Sequence, residues 1–207
     1  LSVVAMQKGE AMKNWSHLLS GVRVLDVTKA TAGPFGTKLL ADLGAEVIKV
    51  EEPPGGPMTR EVIDQSARIG EMDAFFIGIN GNKKSIVLPL AHPKGLSIFY
   101  QLVKKADVVC DNFKPGVAQK LHIDYRTLKK INPRIISGSL SGYGASGPLE
   151  GRAAFDIAIL AQAGMMAFIN KRDSSGSLAY PNIPLADIAG GMYSAVGVVS
   201  ALHYREK

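Results

Sequence analysis

Asp187 stands out by its neighbours. It lies between Leu185-Ala186 and Ile188-Ala-Gly-Gly191, where a run of small and apolar residues reads as the start of a helix. Two roles fit it. As an N-cap it would accept backbone N–H bonds. As a reactive group it would be an anion held at the positive end of a helix, able to attack a carbonyl carbon. Gly190 and Gly191 each cost a helix about 1 kcal/mol relative to Ala, and a close approach to the backbone there is the simplest explanation for the pair. Asp156 opens another apolar run, to Phe168, and fits a cap. Asn112-Phe113, with Lys114 and Lys120 nearby, offers an amide, an aromatic face and two cations. That set suits an adenine and phosphates, but on these residues alone a strand-to-helix turn with Phe113 packed inward is the favoured reading. Lys29 to Pro34 is a third candidate, because N–H groups at a helix start attract anions. Only Gly33 and Gly36 are near, so it has neither a G-x-G-x-x-G spacing nor the Lys-Ser/Thr of a P-loop, and simple turn chemistry also accounts for it.

Other chemistries find no support. The histidines (His17, His92, His122, His203) show no H-x-x-x-H spacing, and His203 with Glu206 lacks a third ligand, so no metal site is indicated. There is no Gly-x-Ser-x-Gly, and Cys110 has no adjacent base. A lone cysteine makes no internal disulfide, which points to a reducing, cytoplasmic compartment.

The elements that must position these groups alternate. Strand signals cover residues 22–27, 46–50, 85–90, 106–110 and 134–140. Helix signals run from Pro34 to Leu43, with Gly44 in the C′ role, from Pro93 to about Lys105, briefly from Pro115, from Tyr125 to Asn132, and from Ala154 to Phe168. The last helix starts at Asp187 and runs to the final residue with no terminating Gly or Pro, as in a fragment, a proteolysed product or a split subunit. Pro53 to Pro57 is a loop, Asn80 to Lys84 a polar turn, and Ser174 to Pro184 polar and turn-rich. Residues 1–18 read as a loosely ordered arm without a signal peptide. This alternation predicts a doubly wound, Rossmann-like parallel sheet flanked by helices over residues 19–207. Ligands in such sheets sit at the carboxyl ends of the strands. The loops there are Thr28 to Gly33, Glu51 to Arg60, Asn112 to Gly116 and Ser141 to Gly144.

At 207 residues the chain can bury a sizeable core. Charged residues at 20% and a mean hydropathy of +0.10 exclude disorder. No apolar run is expected to reach the roughly 20 residues of a membrane span. The net charge of +6 suggests an anionic partner. Scattered basic pairs without interleaved aromatics argue against nucleic acid and for a phosphate-bearing small molecule.

A set of segments then occurs in order: Leu19-Ser-Gly-Val-Arg-Val-Leu-Asp26, Ala32-Gly-Pro34, Leu40 to Glu51, Asn80-Gly-Asn-Lys-Lys-Ser-Ile86, Asn112-Phe-Lys-Pro-Gly116, Asn132-Pro-Arg134, Ser141-Gly-Tyr-Gly144, Ala154-Phe-Asp156, Gln162-Ala163 and Asp187-Ile-Ala-Gly-Gly191. Together they resemble the class III (CaiB/BaiF-like) CoA-transferase family, from about Leu19 to Lys207. Members of that family are about twice as long, so the resemblance is to an N-terminal half. It implies a CoA-transferase acting on acyl-CoA and a carboxylic acid, with the catalytic aspartate at Asp187 and a covalent aspartyl intermediate. It implies CoA contacts at Thr31, Ala32, Leu88, Pro89, Leu90, Ala91, Asn112, Phe113, Lys114, Lys120, Ala153, Ala154, Phe155 and Asp156. It also implies an interlocked homodimer, or a separate subunit supplying the remainder, and no metal. Lys120 and Lys29 replace a family arginine and histidine, and Glu52 stands where another arginine is found. The related racemases carry a histidine where this chain has Phe155, which cannot move a proton. Racemase chemistry and an inactive CoA-binding fragment are the alternatives.

Overall fold

Along Arg23-Val-Leu-Asp26 successive side chains point to opposite faces. Val24 and Leu25 are both fully buried, so both faces of this strand are covered, as in the middle of a parallel sheet. A computed structural model gives that architecture and describes residues 6–7, 10–11, 18–53, 68–70 and 72–207. The strands are β1 (Met6–Gln7), β2 (Glu10–Ala11), β3 (Arg23–Asp26), β4 (Glu46–Glu51), β5 (Arg68–Ile69), β6 (Met72–Asp73), β7 (Lys83–Val87), β8 (Val108–Asp111) and β9 (Ile136–Ser139). The helices are α1 (Ala32–Asp42), α2 (Ala74–Asn80), α3 (Pro93–Val103), α4 (Val117–Lys120), α5 (Tyr125–Ile131), α6 (Asp156–Gln162), α7 (Met165–Ile169) and α8 (Leu185–Arg205).

Five strands form one parallel sheet in the order β7-β4-β3-β8-β9. The chain builds outward from β3 through β4 to β7, then crosses back to lay β8 on the other side of β3. The order therefore reverses between β3 and β8, where the loops leaving the two strands diverge. The short pairs β1–β2 and β5–β6 are antiparallel ribbons outside this sheet. Most of the N-terminal arm, and the proline-rich loop beyond Pro53, lie outside the described residues.

The pleat sorts the core into two layers. Val24, Val47, Val108 and Cys110 face α1 and α8, meeting Leu40, Ala41, Ala195, Val198 and Leu202. Leu25, Val50 and Val109 face α3 and α5, meeting Phe99, Val103 and Leu128. Each fully buried Phe99 or Leu128 side chain contributes roughly 1.5–3 kcal/mol of transfer free energy.

Several boundaries differ from the sequence reading. The third strand is Lys83–Val87, which places Leu88 and Leu90 after it as core side chains. Asp73 caps α2 by accepting from Phe75 and Phe76, in a stretch without a clear sequence period. The apolar run from Ala154 to Phe168 is two helices, because Gly164 turns left-handed (φ +75°) between α6 and α7. Helix α8 begins at Leu185, so Asp187 is its third residue and Pro184 holds the cap position. At 21 residues and a mean hydropathy of 1.5, α8 is long and apolar enough to cross a membrane by those two measures, contrary to expectation: glycine, serine and tyrosine interrupt its apolar residues without adding charge. Its buried side, Gly191, Ala195, Val198 and Leu202, is packed on the sheet layer.

Candidate active site

The first loop leads directly into the start of α1. Thr31 occupies its N-cap position but makes no side-chain cap bond. Pro34, in the first turn, needs no N–H partner. Gly33 is required here: a Cβ would lie 2.4 Å from Thr28 Cβ and 3.0 Å from Asn112 Cγ. The loop after β3 is thus pressed against the loop after β8.

Asn112 clasps the two loops. Its Oδ1 accepts from the Lys29 backbone N–H at 2.7 Å, and its Nδ2 donates to the Lys29 carbonyl at 2.7 Å. The amide expected to read an adenine is therefore engaged with the main chain. Phe113 turns partly inward onto the core and also lines the cleft, and the Lys29 ammonium stands 5.8 Å from its ring centre. Lys29 also pairs with Glu52 at 2.6 Å, so Glu52 meets a cation at the rim.

Helix α8 meets α1 backbone to backbone. A Cβ on Gly191 would fall 2.6 Å from the Ala32 carbonyl oxygen and 3.1 Å from the Gly36 nitrogen. A Cβ on Gly36 would fall 2.8 Å from the Gly191 carbonyl oxygen. The body that closely approaches the glycine pair is thus a helix at Gly191. Gly190 turns toward Leu140 with ordinary spacing and lines the cleft. This seam brings the N-terminus of α8 beside that of α1, and Asp187 beside Thr31.

The cleft between these loops has a volume of about 610 Å³. Thr31, Ala32, Asn112, Phe113, Lys114, Ala153, Ala154, Phe155, Asp156 and Asp187 all line it. Five expected contacts do not. Leu88 and Leu90 are buried in the core, Pro89 and Ala91 are exposed beside them, and Lys120 is exposed on α4. Lys29 and Arg152 add cations to the lining. Arg152 carries no motif of its own and is marked only by adjoining Ala153.

Asp187 is half-buried, and burial first, then the neighbouring Asp156 carboxylate, raise its pKa above the ordinary carboxylate value. The Thr31 hydroxyl pulls the other way. Asp156 begins α6 as expected, but it does not cap its own helix. Its Oδ1 accepts the Asp187 backbone N–H at 2.9 Å, and its Oδ2 accepts the Tyr180 hydroxyl at 3.0 Å. Tyr180 lies in the polar stretch before α8, where no periodicity or spacing signals it. The site can therefore offer one carboxylate to an electrophile while cations and two helix N-termini face an anionic ligand. Cys110, by contrast, is buried and its thiol is pushed up, which leaves it unreactive. Among the described residues no three His, Cys, Asp or Glu side chains converge as a metal site would require.

Known proteins share this arrangement of sequence and fold. The acetyl-CoA:oxalate CoA-transferase of Acetobacter aceti is 40% identical over 187 residues, covering 90% of this chain and 47% of that protein. The succinyl-CoA–L-malate CoA-transferase beta subunit of Chloroflexus aurantiacus is 37% identical over 189 residues, covering 91% of this chain and 46% of that one. The crystal structure of a CAIB/BAIF family protein from Brucella suis superposes with a TM-score of 0.83 at 36% identity, over 91% of this chain and 50% of that chain. The chain thus spans about half the length of the relatives it matches. Residues 19–207 carry the signature of CoA-transferase family III, and the chain belongs to that family.

Proposed function

We propose that this chain forms the CoA-binding part of an enzyme that moves CoA from an acyl-CoA thioester to a carboxylic acid, with Asp187 as nucleophile. The observation that carries this reading is the placement of the Asp187 carboxylate, at the N-terminus of α8 and in the wall of a cation-lined cleft at the sheet's reversal point. A partly desolvated carboxylate is more basic than an exposed one, and nucleophilicity follows.

The chemistry balances in four steps. The Asp187 carboxylate attacks the thioester carbonyl, giving a mixed anhydride and CoA thiolate. The thiolate attacks the aspartyl carbonyl, giving an aspartyl-CoA thioester and releasing the donor acid. The acceptor carboxylate attacks that thioester, regenerating thiolate and a second anhydride. The thiolate then attacks the acceptor carbonyl, releasing the new acyl-CoA and free Asp187. Covalent catalysis divides one difficult exchange into easier ones.

Two relatives are named for oxalate and malate, both dicarboxylic acids. The cations Lys29, Lys114 and Arg152 suit a substrate that keeps a second carboxylate free, as well as the phosphates of CoA. The remainder of the site would come from further chain, from a second copy or from a separate subunit. Phe155, exposed at the cleft, has no titratable atom with which to exchange an α-proton, which supports transfer over racemisation.

The test is mass spectrometry of the native protein after incubation with acyl-CoA, with hydroxylamine trapping. An adduct on Asp187, lost with all activity in Asp187→Asn, is the expected result. Full activity in that variant, or α-carbon deuterium exchange without an acceptor acid, contradicts it.

A further inference from the structure

Asp156 and Tyr180 form a connected pair directly behind the reactive carboxylate. Asp156 is buried, and both of its oxygens are engaged, one by the Asp187 N–H and one by the Tyr180 hydroxyl. The N–H it accepts belongs to the first turn of α8, which Pro184 leaves without a side-chain cap. A free first-turn N–H is a group that a helix must satisfy, and here the acceptor comes from another element. The orientation of that first turn therefore depends on where the Asp156 carboxylate is held. The N-terminus of α6 fixes its backbone, and the Tyr180 hydroxyl fixes the rotation of its oxygens.

We propose that Tyr180 is a positioning residue for Asp187, acting through Asp156 to hold the first turn of α8 in the attacking orientation. This inference rests on the reading of Asp187 as nucleophile. Tyr180 is suited to the task because its own ionisation is displaced upward, to about 12, by burial first, then by its bond to Asp156 and the charges of Asp156 and Asp187. It therefore remains a donor throughout the working range of pH. The charged groups that line the cleft with Asp187 are Asp156, Lys29, Lys114 and Arg152, and Tyr180 reaches Asp156 from outside that lining. Of these, only Asp156 bonds the main chain of Asp187.

The experiment is a double-mutant cycle on the native enzyme with acyl-CoA as probe. Tyr180→Phe removes a single oxygen, and it should lower kcat about tenfold while KM for acyl-CoA stays within twofold, since a small misplacement of a reacting group costs rate before it costs binding. Asp156→Asn should move the acid limb of the pH–rate profile to lower pH, because it removes a charge that raises the Asp187 pKa. Adding Tyr180→Phe to Asp156→Ala, which removes the group Tyr180 bonds, should cost little more, because Tyr180 acts only through Asp156. Unchanged kcat in Tyr180→Phe, a rise in KM alone, or losses that multiply in the double variant overturn the inference. Asp187→Asn separates the two ideas. If it forms no adduct while Tyr180→Phe behaves as wild type, only the positioning role falls; if it remains active, the nucleophile reading falls.

Discussion

Gly191 and Gly197 lie on the same helix but meet different surroundings, so one substitution at both sites separates helix propensity from packing. Alanine in place of glycine gains about 0.8–1 kcal/mol in a helix interior. At Gly197 a Cβ would have nothing within 4 Å, so Gly197→Ala should show that gain in full. At Gly191 the added carbon would sit 2.6 Å from the Ala32 carbonyl oxygen, 3.0 Å from Phe35 Cδ1 and 3.1 Å from the Gly36 nitrogen. Two of these three are backbone atoms of α1, which cannot rotate away. Overpacking of this kind costs about 1–3 kcal/mol, and rigid partners place it at the upper end. Gly191→Ala should therefore be destabilising by a net of roughly 2 kcal/mol after the propensity gain. Urea unfolding of both variants measures the difference, expected at about 3 kcal/mol between them. Relief of the contact would also push the first turn of α8 away from Thr31, so Gly191→Ala should lose activity beyond its loss of stability. Equal stability of the two alanine variants would refute the backbone seam and the positioning of Asp187 built on it.

Two further outcomes follow from buried polar groups. Lys83 donates to Asp26 at 3.0 Å, the Pro34 carbonyl at 2.8 Å and Asn80 at 2.9 Å, and Lys83→Met would leave the fully buried Asp26, among the described residues, with Lys49 at 3.7 Å as its remaining cation, so a loss of about 3–5 kcal/mol is expected in thermal or urea unfolding. Burial lowers the Lys83 ammonium from 10.5 to about 8, so the folded chain releases this proton before the unfolded chain does, and stability should rise with pH from 8 until Cys110, ordinarily 9.0 but raised by burial, opposes it; the slope stays below about 1.4 kcal/mol per pH unit and should vanish in Lys83→Met. Asn112→Ala breaks both bonds to the Lys29 main chain and should cost about 1–3 kcal/mol, with KM for acyl-CoA rising as the two loops part; an unchanged KM speaks against the clasp as a determinant of the cleft.

What could be read from the sequence was local. The strands β3, β4 and β8 are runs in which consecutive residues are apolar, and prolines open α3 and the first turn of α1. Asp187 could be singled out because its neighbours are tiny, although the helix begins two residues earlier. What escaped was long-range. The Lys83–Asp26 bond joins residues 57 apart, and Tyr180 reaches Asp156 from 24 residues away, out of a stretch with no period. Asn112 looked free to read a base because nothing local shows its two bonds to a residue 83 positions away. Leu88 and Leu90 are implied as CoA contacts by the family resemblance, and nothing local shows that the chain leaving β7 turns both side chains into the layer under α3. The identity of a Gly in the 154–168 run was visible; that Gly164 would break the helix depended on a left-handed backbone that periodicity does not report.

A nucleophilic carboxylate meets two opposed demands, and the architecture serves them with different parts. Withdrawal from water makes Asp187 more basic, and the charge of Asp156 adds to that, but a carboxylate that holds its proton too well cannot attack. The N-terminus of α8 and the Thr31 hydroxyl act against both effects by favouring the anion. These terms depend on how α8 is seated, since sliding it along α1 would carry Asp187 away from Thr31. The glycine seam fixes that seating through backbone contact, which tolerates little displacement. Asp156, in contrast, bonds the main chain of Asp187 and leaves its carboxylate unoccupied by that bond, so it can aim the reactive group without blocking it. Position is thus set mainly by helix packing and by a bond to the main chain, while proton affinity is set by burial and neighbouring charge. A substitution at Gly191 should therefore lower the rate and, by parting Thr31 from Asp187, move the acid limb to higher pH, whereas Asp156→Asn should move it to lower pH.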